Sequence, residues 1–180
     1  KRIVKKIFFN LSDGIFLYGN YAKKLMKHEG INEKKMHVIY NSLNYKKQLM
    51  VREKLIQSDI FLKKFKNNYP VLIFIGRLTT VKKLHYLILA LKKLKDRNIF
   101  TNIVFVGDGK EAVKINEYAE KHNVKKHVWL YGKCYNEDEI GNLIFNSDLC
   151  VSPGNVGLTA MHSLVYGTPV ITHSDFTNQV

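Results

Sequence analysis

From Val71 to Thr172 the chain alternates between two hydrophobic periods. Short runs at Val71–Ile75, Ile103–Val106, Val128–Tyr131, Leu149–Val151 and Val170–Ile171 are apolar throughout, as strands covered on both faces are. Between the runs, apolar residues recur at helical spacing. Leu84, Leu87, Ile88, Leu91 and Leu94 make one stripe, and Glu111–His122 reads as a second helix. Asn136 opens a third, with Glu137, Asp138 and Glu139 in the first turn, where the helix dipole favours acids. Leu158, Met161, Leu164 and Val165 mark a fourth, with Gly167 at its C-cap. Turn residues close the strands: Gly76-Arg77, Gly107-Asp108-Gly109, Gly132 and Ser152-Pro153-Gly154-Asn155. The pattern predicts an α/β fold, an open parallel sheet with helices on both faces. Such sheets bind ligands at the carboxyl ends of their strands, so the closing loops should share one rim.

Residues 1–70 are organised differently. Lys1–Phe9 places Ile3, Val4, Ile7 and Phe8 on one helical face, and Gly14–Tyr18 reads as a strand. Asn20 is placed to cap a helix carrying Ala22, Leu25 and Met26 that ends near Gly30. A short strand follows at Lys35–Tyr40, closed by Asn41-Ser42. Residues 46–68 are helical in pattern but strongly charged, and Tyr69-Pro70 ends them. This part reads as the tail of one domain followed by a connector.

Two features on the rim suit a diphosphate. Arg77 and Lys82 lie five apart in the loop after the first strand of the sheet. A guanidinium offers a planar fork to phosphate oxygens and an ammonium a point charge. The loop before the fourth helix leaves backbone N–H groups at Val156, Gly157, Leu158 and Thr159 without helical partners, where anions are favoured.

The segment Phe74–Leu84, Val106-Gly-Asp-Gly109, Gly132, and Ser152–Ile171 (SPGNVGLTAMHSLVYGTPVI) together resemble the group-one, family-four retaining glycosyltransferases of GT-B fold. The likeness runs from about Leu11 to the end. It implies two Rossmann-like domains facing across a cleft. On that basis residues 1–44 would be the end of an N-terminal acceptor domain and hinge, 45–70 a helical connector, and 71–180 a C-terminally truncated donor-binding domain. The resemblance implies that Arg77 and Lys82 are the catalytic cation pair on the diphosphate of a nucleotide sugar. It implies donor contacts from Gly76, from the amides of Asn155, Val156, Gly157, Leu158 and Thr159, and from Gly107, Asp108, Gly109, Lys133 and Cys134 around the base. The family's two glutamates, eight apart, correspond here to Gly154 and His162, so a sugar contact is missing and His162 would meet the ribose. The implied chemistry needs no cofactor and no metal, and the histidines show no metal-ligand spacing. The partners implied are a nucleotide-sugar donor and a glycan or lipid-linked acceptor.

Composition narrows the rest. Hydrophobic residues at 46% place the chain among globular proteins, and no apolar run is long enough to span a bilayer. A formal net charge of +14 suits either a solvated basic surface or attraction to an anionic one; Lys1, Lys5, Lys6, Lys23 and Lys24 would suit an anionic membrane surface. No nucleic-acid module is recognisable. Two cysteines, Cys134 and Cys150, make no disulfide framework, which suits the cytoplasm, with docking at the inner face of the membrane. The absent initiator methionine and the stop at Val180 read as cut ends, so the isolated chain is expected to be inactive. Two alternatives remain. One is a degenerate transferase-like nucleotide binder. The other is an NAD(P)-binding oxidoreductase, since Gly107–Ala112 fits G-x-G-x-x-A, although Lys133 stands where such sites place an acid.

Overall fold

In the computed structural model, which describes residues 2–175, the chain divides into two compact units, Lys1–Ser42 and Leu43–Val180. The first holds helix α1 (Arg2–Leu11), strand β1 (Ile15–Leu17), helix α2 (Asn20–His28) and strand β2 (Met36–Val38). β1 and β2 pair in parallel, and Ile15, Leu17, Ile31 and Met36 form a small core beneath them. Asn20 does not cap α2. Gly19 takes that position and makes no side-chain bond, while Asn20 begins the helix and donates from Nδ2 to the Tyr40 hydroxyl at 3.2 Å. Of the lysines proposed to meet an anionic surface, Lys5, Lys6 and Lys24 are exposed, Lys23 lies 3.7 Å from Glu33, and Lys1 is outside the described residues.

The second unit opens with α3 (Tyr45–Arg52) and α4 (Ile60–Phe65). The single charged helix expected over 46–68 is thus two. The break at 53–59 is held elsewhere: the Ser58 amide donates to Asn146 Oδ1 at 2.7 Å. The sheet follows, with β3 (Val71–Ile75), β4 (Asn102–Val106), β5 (Val128–Gly132), β6 (Leu149–Ser152) and β7 (Val170–Thr172). All pairings are parallel, in the order β5-β4-β3-β6-β7. The crossovers contain α5 (His85–Lys95), α6 (Glu111–Lys121), α7 (Glu137–Phe145) and α8 (Thr159–Val165).

The continuous apolar strands serve two cores at once, because successive side chains point to opposite faces. Ile73, Ile75, Val104, Val106 and Cys150 pack with Val51, Phe61, Phe65, Ile140, Leu143 and Ile144 from α3, α4 and α7. Phe74, Ile103, Phe105 and Val151 pack with Leu87, Ile88, Leu91, Ile115 and Ala119 from α5 and α6. Burial pushes the Cys150 thiol up to about 11, which suits an inert packing role. The observed order reverses direction between β3 and β6, and a ligand crevice forms at such a reversal. Among the described residues no helix is long and apolar enough to cross a membrane.

At the opposite, amino edge of the sheet lies a buried polar group. His127 Nδ1 is 3.0 Å from Asn102 Oδ1, and Asn102 Nδ2 donates to Asn67 Oδ1 at 2.7 Å. Asn102 Oδ1 accepts, so Nδ1 carries the hydrogen and Nε2 is left buried without a partner. Burial, with Lys126 and Lys95 nearby, lowers the His127 pKa from its ordinary 6.5. The unfolded chain therefore binds the extra proton more readily. Stability is full above pH 6.5 and falls as pH drops below that value toward the lowered folded pKa. Urea unfolding at a series of pH values should show this loss. His127→Gln should cost roughly 1–3 kcal/mol at pH 7.5 and flatten the dependence between pH 7 and pH 5.

Candidate donor site at the sheet reversal

The loop after β3 and the loop after β6 meet at the reversal. The ammonium of Lys82, in a short 3-10 turn over Thr80–Lys82, donates to the Asn155 carbonyl at 2.5 Å. The backbone makes this approach feasible. A Cβ on Gly154 would lie 2.2 Å from the Val81 carbonyl oxygen and 2.8 Å from Lys82 Cα, so only glycine lets the loops touch. Thr159 adds a second tie, its Oγ1 donating to the Ile75 carbonyl at 3.0 Å.

Arg77 stands exposed at the end of β3. Burial, and then the Arg77 guanidinium, hold the Lys82 ammonium below the usual lysine range. Two cations that penalise one another sit beside the loop following Asn155. The amides of Val156, Gly157 and Leu158 have no backbone acceptor among the described residues. The Thr159 amide departs from expectation: it donates to the Val156 carbonyl at 3.3 Å, closing the turn into α8, which starts at Thr159 and not at Leu158. The Lys82 ammonium, with Arg77 close enough to repel it, thus sits at the start of the loop that carries these three amides.

The neighbouring strand ends brace this locus. The Gly76 amide donates to the Val106 carbonyl at 2.9 Å, the Gly107 amide to the Gly132 carbonyl at 2.8 Å, and the Leu78 amide to the Asp108 carbonyl at 2.9 Å. A Cβ on Gly107 would stand 2.0 Å from the Gly76 carbonyl oxygen, so these loops also meet backbone to backbone. Asp108 Oδ1 accepts from the Gly109 amide at 2.7 Å, tightening the same turn. At the end of β5, the Lys133 ammonium lies 4.9 Å from the centre of the Tyr135 ring. Cys134 Sγ donates to Glu139 Oε2 at 3.1 Å, and the Tyr131 hydroxyl bonds to Glu139 Oε1. Among the described residues no three His, Cys, Asp or Glu side chains gather as a metal site.

Residues 56–179 match the family model described as glycosyl transferases group 1. The chain belongs to that family. An uncharacterized glycosyltransferase of Methanocaldococcus jannaschii is 28% identical over 149 residues, covering 79% of this chain and 37% of the relative. A glycogen synthase of Mycobacterium tuberculosis is 29% identical over 104 residues, covering 56% of this chain and 25% of the relative. The crystal structure of Anabaena HepE in complex with UDP-glucose superposes with a TM-score of 0.73 at 20% identity, over 95% of this chain and 48% of that one. The chain therefore spans less than half the length of these relatives, and its five-stranded unit has the Rossmann-like fold of a GT-B domain.

Position 162 has well-defined partners. His162 Nε2 lies 2.7 Å from Glu137 Oε1, which also takes the Tyr166 hydroxyl at 2.7 Å and Gln48 Nε2 at 3.2 Å. Sequence reasoning assigned Glu137 only to the α7 dipole. Asn136 is in fact the cap, accepting from the Asp138 and Glu139 amides, and Glu137 serves a tertiary role. The available signal was the i, i+4 spacing of His162 and Tyr166, which sets both on one helical face.

Two outcomes check the site in the 180-residue chain. Lys82→Ala and Gly154→Ala should each weaken nucleoside diphosphate binding about 10- to 100-fold by calorimetry, the loss expected for one charge-assisted contact. Wild-type affinity should also fall as pH rises through a Lys82 pKa lying below the ordinary 10.5. Lys82→Arg should abolish that alkaline loss, since a guanidinium stays charged.

Proposed function

We propose that the protein transfers a sugar from a nucleotide-sugar donor to a glycan or lipid-linked acceptor with retention of configuration, in polysaccharide or envelope glycan synthesis. The carrying observation is the Lys82–Asn155 bond, which sets a cation at the mouth of the amide loop beside Arg77. Cleaving the bond between anomeric carbon and diphosphate builds charge on the departing oxygen. Arg77, Lys82 and the amides of Val156–Leu158 would stabilise that charge without a metal. Each preorganised group of this kind commonly contributes about 10²–10³ in rate. The Anabaena relative bound to UDP-glucose supports a donor of that class.

In this reading residues 1–44 close an acceptor domain, 45–70 connect, and 71–180 bind the donor, with Gly107, Asp108, Gly109, Lys133 and Cys134 around the base. Action at the inner face of a membrane is supported by the exposed Lys5, Lys6 and Lys24. The degenerate-transferase alternative is favoured by one observation, Gly154, which offers no side chain to the transferred sugar.

Full-length protein, incubated with a panel of nucleotide sugars and lipid-extracted acceptors, should release nucleoside diphosphate and form a product with the donor's anomeric configuration by NMR. Arg77→Ala should lower the rate at least 10²-fold. Diphosphate binding without transfer by the full-length protein would select the degenerate alternative. The 180-residue chain alone should bind the nucleotide and transfer nothing.

A further inference from the structure

Glu111 opens α6, a place where an acid complements the helix dipole. That role asks only for a carboxylate in water. This side chain is instead 10% exposed, and its Oε1 accepts from the Thr80 hydroxyl at 3.2 Å and from the Lys114 ammonium at 3.0 Å. The bond from Lys114 outweighs burial and, with the bond from Thr80, holds the carboxyl below the usual carboxylate range. His85, at the start of α5, also favours the charged form. Glu111 is therefore an anion at neutral pH, able only to accept.

Thr80 is the first residue of the turn that ends in Lys82. The Lys82 amide donates to the Thr79 carbonyl and the Lys83 amide to the Thr80 carbonyl, both at 3.0 Å, so fixing Thr80 fixes the stem of the Lys82 side chain. The turn has weak support of its own. Thr79, in the cap position, makes no side-chain bond to it. It is followed by Lys83 at φ 52°, a left-handed conformation that disfavours any residue but glycine. The start of α6 grips the same loop through its main chain as well. The Glu111 amide donates to the Leu78 carbonyl at 3.1 Å, and a Cβ on Gly109 would stand 2.3 Å from that oxygen. The loop is thus held from the β4 side by Glu111, while Lys82 reaches the Asn155 carbonyl on the β6 side.

We propose that Glu111 is a positioning residue of the donor site: through Thr80 it fixes the turn that carries Lys82, and so sets the ammonium at the mouth of the amide loop. The inference rests on the donor-site reading above and adds the group that aims one of its two cations. Glu111 meets no ligand itself and acts through Lys82 alone.

The charge of Glu111 makes the test directional. Removing a carboxylate near two cations would by itself tighten anion binding and lower the Lys82 pKa further. Loss of positioning does the reverse, because a lysine released into water returns toward the ordinary 10.5. In the 180-residue chain, Glu111→Ala should weaken UDP and inorganic pyrophosphate alike by about 3- to 10-fold, the range of one hydrogen bond. It should also move the alkaline fall in affinity to higher pH. Thr80→Val, which removes the donor and keeps the shape, should give the same loss, and the double variant should be no weaker than either single one. Glu111→Gln retains an acceptor oxygen and should recover most of the loss. In a Lys82→Ala background, Glu111→Ala should have no further effect by NMR titration, whereas a merely structural role would weaken both backgrounds equally. Should Glu111→Ala fail to fold, Thr80→Val, at an exposed position, carries the same predictions. Unchanged or tighter binding in Glu111→Ala, no effect of Thr80→Val, or an equal loss in the Lys82→Ala background would overturn the proposal and leave the donor site standing. Absence of UDP and pyrophosphate binding in wild type would remove the donor site itself, and this proposal with it.

Discussion

The molecule's second unit depends on two loops that touch through their main chains. The parallel sheet reverses its strand order between β3 and β6, which would leave a crevice open to water. Gly154 closes its floor by letting residues 153–155 lie against the Val81 carbonyl, and Lys82 bridges the contact to the Asn155 carbonyl. The lysine reaches this point at a cost, since it is partly desolvated beside another cation. In the function proposed above, a diphosphate would relieve both penalties by neutralising the pair and replacing lost hydration.

Gly154 also recasts the apparent loss of a carboxylate at that position. In the sequence the glycine is a missing functional group. In the structure it is the only residue that fits, because any side chain would displace the loop that presents Lys82. In the function proposed above, a contact to the transferred sugar would have to come from another residue.

Legibility followed the range of the interactions. Continuous apolar strands announced a sheet covered on both faces, since Ile73 and Phe74 each need an apolar environment on opposite sides. The Arg77 and Lys82 pair could be placed on the rim because strand ends dictate where loops go. The interrupted helix at 46–68 was hidden, because Ser58 is held by Asn146, 88 residues away. Glu137 was misjudged for the same reason. Its partners Gln48, His162 and Tyr166 lie 89, 25 and 29 residues distant, and a local rule about helix dipoles already seemed to account for it. Asn20 shows the converse: a residue suited to capping was drawn one place into the helix, with its amide on Tyr40.

The seven-residue helix α8 is too short to persist by its own backbone bonds. It is clamped at each end. Thr159 hangs its start from β3, while at its finish Gly167 and Thr168 return amides to the Leu164 and Ser163 carbonyls and the Thr168 hydroxyl grips the Ile144 carbonyl. A segment anchored this way has no fraying end of its own. Its amide protons should exchange with deuterated solvent only when the sheet around β3 and the end of α7 open together, which makes the segments around the candidate site one cooperative unit.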